Sequence, residues 1–132
     1  MILPTVPPHL PHLPIYRKAL EIVSLSRSIS SYLHYDLCEL EPDGSENAHI
    51  YFSGDIVQQS VSLAPEIVKA EQEVYPEQKH KHLAALSKLT HNLYANCIRL
   101  ERSKSNGRDY LKILRKELHA FKRLQRAWML SL

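Results

Sequence analysis

Apolar residues that return every three or four positions constrain this chain more than any other feature, because that period makes one face of a helix apolar. The first such stretch carries Ile15, Ala19, Ile22, Ile29, Leu33, Leu37 and Leu40, with Ser26 as its one small polar break. Pro14 suits the first helical turn, where a missing N–H costs nothing, so the spacing predicts a helix over 15–40. Segment 41–47, EPDGSEN, has the chemistry of a turn at Pro42, Asp43 and Gly44, and Ser45 or Asn47 is placed to cap the next helix. The second stretch holds Phe52, Ile56, Leu63, Ile67, Ala70 and Val74. Pro65 interrupts it, removing one hydrogen bond and clashing with the carbonyl four residues back. The apolar face continues past the proline, which predicts one helix kinked near 61–65 rather than two helices.

Tyr75-Pro76 ends the second helix and starts a third, with Leu83, Leu86, Leu89, Leu93, Cys97 and Leu100 on its face. A loop over 103–107 comes next, and Asn106 with Asp109 three residues on reads as a capping arrangement. The fourth stretch carries Leu111, Leu114, Leu118, Phe121, Leu124 and Trp128. No segment alternates apolar and polar residues as a half-buried strand would. Four amphipathic helices joined by short loops predict an all-α protein, an antiparallel up-down four-helix bundle over residues 14–132. Residues 1–13 read as a Pro-rich extended tail, because MILPTVPPHLPHLP holds five of the chain's 8 prolines and proline forces its neighbour to be extended. Its apolar residues (Ile2, Leu3, Val6, Leu10 and Leu13) are able to lie against the bundle or a neighbour. His9 and His12 in the HLPHLP repeat are too few to hold a metal.

Composition narrows the function classes. At 132 residues there is room for one domain. Only 3 residues are glycine, which argues against a phosphate-cradling glycine loop. Two cysteines, Cys38 and Cys97, make neither a disulfide framework nor a four-cysteine zinc site. No apolar run approaches the ~18 residues of a membrane span, and the opening residues lack the pattern of a secretion signal. A reducing, cytoplasmic setting is expected, with no cofactor.

The net charge of +3 conceals a strong asymmetry. Residues 1–78 hold 4 basic and 11 acidic residues, net −7, while residues 79–132 hold 13 basic and 3 acidic ones, net +10. On the fourth helix Lys112, Lys116, His119, Arg123 and Arg126 fall 4, 3, 4 and 3 residues apart, one stripe beside the apolar face. A solvated helix face normally mixes in glutamate for i,i+4 pairing; this helix holds only Asp109 and Glu117. Lysine supplies point charge and arginine chelates phosphate with two bonds. The expected phosphate-binding residues are Lys81, Lys88, Arg102, Arg108, Lys112, Arg115, Lys116, Lys122, Arg123 and Arg126. A structural alternative pairs these cations with Glu66, Glu71 and Glu73 of the second helix across a subunit interface.

Catalytic signals are sparse. Arg27 and His34, with six residues between them, loosely match the Arg-x(4–6)-His spacing of HEPN-type RNA-cleaving helical proteins. His80 and His82 are two apart on a helix and face different directions. His91 and His119 lack a carboxylate or cysteine partner in sequence, so a core-edge or surface place is expected for them. No carboxylate pair, Glu-x-x-His motif, P-loop or dinucleotide fingerprint is present, and a non-catalytic protein is expected. The tyrosines at 16, 32, 35, 51, 75, 94 and 110 are suited to the edge of a core or an interface, and could stack on unpaired bases.

The opening LPIYRKALEIV and the last helix, YLKILRKELHAFKRLQRAWMLSL from Tyr110 to the end, resemble the Avd proteins, the accessory variability determinants of diversity-generating retroelements. These are similar in fold to small four-helix proteins encoded in intervening sequences of bacterial 23S rRNA genes. The resemblance covers about residues 13–132. Where many relatives carry glycines just before the tryptophan, Arg126 and Ala127 stand here. The resemblance implies a ring-shaped homopentamer with a basic surface that binds RNA and DNA. It also implies association with a reverse transcriptase in mutagenic copying of a template RNA into cDNA. The intervening-sequence relatives imply the alternative of an oligomeric scaffold with no nucleic-acid role.

Overall fold

The computed structural model describes residues 8–37, 40, 42–45, 49–102 and 108–132. A 3-10 turn, Leu10–His12, leads into α1, Pro14–Leu37. Then come α2, His49–Val61, α3, Leu63–Gln72, α4, Pro76–Glu101, and α5, Arg108–Ser131. Among the described residues there is no strand, and no helix is long and apolar enough to cross a membrane.

The buried positions repeat with a period close to 3.5. They run Ile15, Ala19, Ile22, Ser26, Ile29 and Leu33 on α1, and Ser53, Ile56, Ser60, Leu63, Ile67 and Ala70 through α2 and α3. On α5 they are Leu111, Leu114, Leu118, Phe121, Gln125 and Trp128. Such a seam lets each helix set its knobs into a neighbour's holes. α1 packs on α2 and α5, and α4 packs on α2, α3 and α5, so the last helix returns beside the first. Long-range pairs give the direction. Along α4 and α5, Glu101 meets Arg115, Tyr94 meets His119, and Ser87 meets Gln125. One number falls as the other rises, which makes the two helices antiparallel. Lys18 with Glu117 and Tyr32 with Tyr110 show the same for α1 and α5, as Gln59 with Asn96 and Glu66 with His82 do for α2–α3 and α4.

The kink falls where Pro65 demands it. Proline offers no N–H to the Val61 carbonyl, and the helix breaks for the single residue Ser62. The Ser62 amide reaches back only three residues, to the Gln59 carbonyl at 3.3 Å, and its hydroxyl donates to the Gln58 carbonyl at 3.0 Å. The seam passes the break without losing register, so α2 and α3 are the two arms of one kinked helix.

Ser26, the polar break in the first apolar face, is buried and 2.7 Å from the buried Ser60 hydroxyl. Ser60 donates its own proton to the Ile56 carbonyl at 2.5 Å, so Ser26 donates to Ser60. Each hydroxyl has a partner, as a buried polar group requires.

Several expectations are corrected. The tail is not extended at its end: Leu10 lies in the 3-10 turn with no exposed surface, because burying it in the core outweighs the extended bias of the flanking prolines. Val74 is 82% exposed, since α3 ends at Gln72 and Glu73 is already extended. Leu40 lies beyond α1 and is exposed. Ser45 turns back on Asp43, its amide and hydroxyl both donating to Asp43 Oδ1, at 3.0 and 2.6 Å. That turn needs its glycine, because Gly44 has φ of 86°. The side chains of Leu37 and Phe52 are not among those described, and the expected roles of Asn47 and Asn106 as caps and of Cys38 lie outside the described residues.

Candidate nucleic-acid interface

The seam of α5 fixes where its cations go. With Leu114, Leu118, Phe121 and Gln125 turned inward, Lys112, Lys116, His119, Arg123 and Arg126 are exposed and Lys122 is half-buried at the border with α4. There α4 and α5 form a groove of about 330 Å³, walled by Ser87, Thr90 and His91 on one side and Lys122, Gln125 and Arg126 on the other. Met129 closes its end. A second concavity of the same size, lined by His119, Lys122, Arg123 and Arg126, shares Lys122 and Arg126 with it. The two adjoin along α5 and make one cationic track, walled by α4 over the first of them.

Tyr94 of α4 seats two of the residues that line these concavities. The Lys122 ammonium stands 4.7 Å from the centre of its ring, a cation–π contact. The His119 ring meets the same tyrosine edge-on, 5.3 Å between centres. Gln125 is locked from below, its Nε2 donating to Ser87 Oγ at 2.9 Å.

Of the ten residues expected from sequence, the structure brings Lys122, Arg123 and Arg126 together around this track. Lys116 is exposed one turn before His119, Lys88 one turn before His91, and Lys81 two turns before Lys88 on the same side of α4. Among the described residues no carboxylate pairs with any of these six; the ion pairs lie elsewhere. The other four sit towards the α4–α5 connection. Arg102 and Arg108 are exposed at the helix ends, and Lys112 is 3.7 Å from Asp109. Arg115 is half-buried with Nε 3.4 Å from Glu101 Oε1. That carboxylate oxygen is buried without a well-directed hydrogen bond, so the contact is an ion pair only.

Sequence reasoning missed His91, Tyr94 and Gln125 as parts or neighbours of the track. His119 was visible in the cation stripe, but its pairing with Tyr94 depends on which helices are neighbours. Gln125 carried the one available signal, a polar residue at a seam position.

The carboxylates of α3 face their own chain. Glu66 accepts from His82 at 2.9 Å and lies 3.7 Å from Lys69. Glu71 accepts the Trp128 indole N–H at 2.5 Å and a His9 ring N–H at 3.2 Å. Glu73 accepts the Tyr75 amide at 3.2 Å. On α1, Lys18 holds Glu117 at 2.7 Å and Glu21 at 2.8 Å, and the bond to Glu117 above all raises the lysine's pKa.

Arg27 and His34 are exposed on α1. Cys97 is buried, and its thiol is pushed up to about 12, first by burial and then by Glu101. That disfavours the thiolate a nucleophile needs. Among the described residues no three metal-ligating side chains gather. The fold and site together define an all-helical protein with one cationic flank. Compared with family models, curated proteins and solved structures, the chain matches none.

Proposed function

We propose that this chain is a non-catalytic nucleic-acid-binding accessory protein. It works as a ring-shaped homopentamer, with a retroelement reverse transcriptase and its template RNA, in mutagenic cDNA synthesis, as its resemblance to the Avd proteins implies. The observation that carries the nucleic-acid part is the uncompensated α4–α5 flank. Lys88, Lys116, Lys122, Arg123 and Arg126 have no carboxylate partner among the described residues. The carboxylates that the scaffold reading names, Glu66, Glu71 and Glu73, are already bonded inside the chain. That favours phosphates over the scaffold reading. Self-association is supported by apolar side chains left exposed, among them Val74, Tyr75 and Leu130.

Contacts of this kind read backbone rather than sequence, and each neutralised phosphate of a single strand contributes about −0.7 to the slope of log K against log salt. Five contacts give a slope of about −3.5. The test is titration of a labelled structured RNA at several salt concentrations. A flat salt response, or no binding near physiological salt, refutes the reading. Reversing the charge of Lys116 and Arg123 separates it from the scaffold: RNA binding is expected to fall with the oligomer intact. Loss of the oligomer with RNA binding retained would establish the scaffold instead.

A further inference from the structure

We propose that the α4–α5 track takes a nucleic-acid phosphodiester with uptake of protons at His91 and His119, so that its hold on the strand tightens as pH falls. The inference rests on the nucleic-acid reading above and adds two ligand-contacting residues and a form of regulation to it.

The geometry places both imidazoles where a phosphate would lie. His91 forms the α4 wall of the groove opposite Lys122 and Arg126. His119 lines the adjoining concavity with Lys122, Arg123 and Arg126. Tyr94, one turn beyond His91, carries Lys122 over its face and His119 against its edge. Lys122 therefore lines both concavities, one shared with each histidine, so an anion held there has an imidazole in the wall of either one. Both rings are exposed, open to a strand without rearrangement of the bundle.

The charged surroundings are of one sign. From α4, His91 is faced by Lys88 and the neutral Tyr94; from α5, by Lys122 and Arg126. His119 is faced by Lys116, Lys122 and Arg123 of its own helix and by Tyr94 of α4. The nearest acid in sequence, Glu117, is bonded to Lys18 of α1. No carboxylate of the described residues is paired with either imidazole, so nothing anionic competes with an arriving phosphate. Imidazole is the side chain that changes charge between pH 5 and 8, and an anion beside it favours the protonated form. By linkage, a ligand that favours the protonated form binds with proton uptake.

The test is calorimetric titration of the full chain with a 20-residue oligouridylate, whose bases do not titrate between pH 5.5 and 8. It is run at fixed salt in two buffers of different ionisation enthalpy. Protons are expected to be taken up on binding near pH 6.5. Affinity is expected to rise several-fold from pH 8 to pH 5.5, with part of the rise coming from each histidine. His91→Gln and His119→Gln should each remove part of the rise, and the double variant all of it. His12→Gln, altered in the exposed N-terminal turn, should leave the rise intact. Binding without proton exchange, or a pH slope that survives in the double variant, overturns this proposal and leaves the nucleic-acid reading standing. No binding at any pH overturns both.

Discussion

Replacing Glu71 with alanine tests the internal use of the α3 carboxylates directly. Glu71 has only 15% of its side chain exposed, and it ties three parts of the molecule: α3, Trp128 of α5, and His9 at the N-terminal turn. Alanine would leave the indole N–H of Trp128, 6% exposed, without an acceptor. A buried donor left unsatisfied costs about 1–3 kcal/mol, and a hydrogen bond to a charged group lies towards the upper part of that range. The His9 contact, more than half exposed on the histidine side, adds little. The expected loss is therefore about 2 kcal/mol. At the size of this chain that lowers the melting temperature by roughly 6–10 °C. Glu71→Gln keeps an acceptor and should cost about half as much. Trp128 is the chain's only tryptophan, so its fluorescence tracks urea unfolding and reports solvent at the indole in the folded state. A loss under about 0.5 kcal/mol in alanine, with native emission unchanged, would refute the internal assignment. If the same variant instead broke an oligomer, Glu71 would belong to an interface and the scaffold reading would return.

Two buried groups give further tests. Ser60→Ala should cost about 1–2 kcal/mol, because it strands the Ser26 hydroxyl in the core, while the double Ser26→Ala, Ser60→Ala variant should come close to the native stability; a denaturation double-mutant cycle that finds the two losses additive would refute the bond. Cys97 should resist thiol reagents at pH 8 in the folded chain, as mass-spectrometric mapping would report. Its raised pKa also means that the unfolded chain gives up the thiol proton first. Its contribution to stability should hold below the ordinary value of 9.0 and fall as pH rises towards about 12; a Cys97→Ala variant with the same alkaline decline would refute that assignment.

The seam was legible because one physical signal, apolar recurrence, dominates wherever a helix is buried. Leu114, Leu118 and Phe121 could hardly face elsewhere. The kink was legible for an equally local reason, since Pro65 removes a donor whatever surrounds it. The failures occurred where a local preference met a distant contact. Leu10 sits among prolines that favour extension, and only the core it enters explains its turn. Val74 continues the apolar period of α3, but the helix stops before it at the approach to Tyr75-Pro76. Ser26 read as a flaw until Ser60 supplied its partner from another helix. The candidate site divides in the same way. The cation stripe is a matter of spacing on one helix, whereas the seating of Lys122 and His119 on Tyr94 requires knowing that α4 and α5 are antiparallel neighbours in that register.

Register also explains why the basic half keeps a free flank in spite of holding carboxylates of its own. Residues 79–132 contain three: Glu101, Asp109 and Glu117. Glu101 meets Arg115 near the α4–α5 connection, and Asp109 meets Lys112 within the first turns of α5. Glu117 leaves its own helix pair and bonds Lys18 on α1. All three serve one end of α5 or its α1 side. From His119 to the end of the chain there is no acid, and that is the stretch which faces His91 and Tyr94. Placing Glu at 119 or 126 would have supplied the i,i+4 partners that quiet a solvated helix; the sequence puts an imidazole and a guanidinium there instead. The repulsion among Lys122, Arg123 and Arg126 is thus a standing destabilisation of the free protein, one that a bound phosphate would relieve. The bundle tolerates that repulsion because the seam beneath it, Leu118, Phe121, Gln125 and Trp128, is buried along its whole length, so holding α5 in place does not depend on the charges it displays.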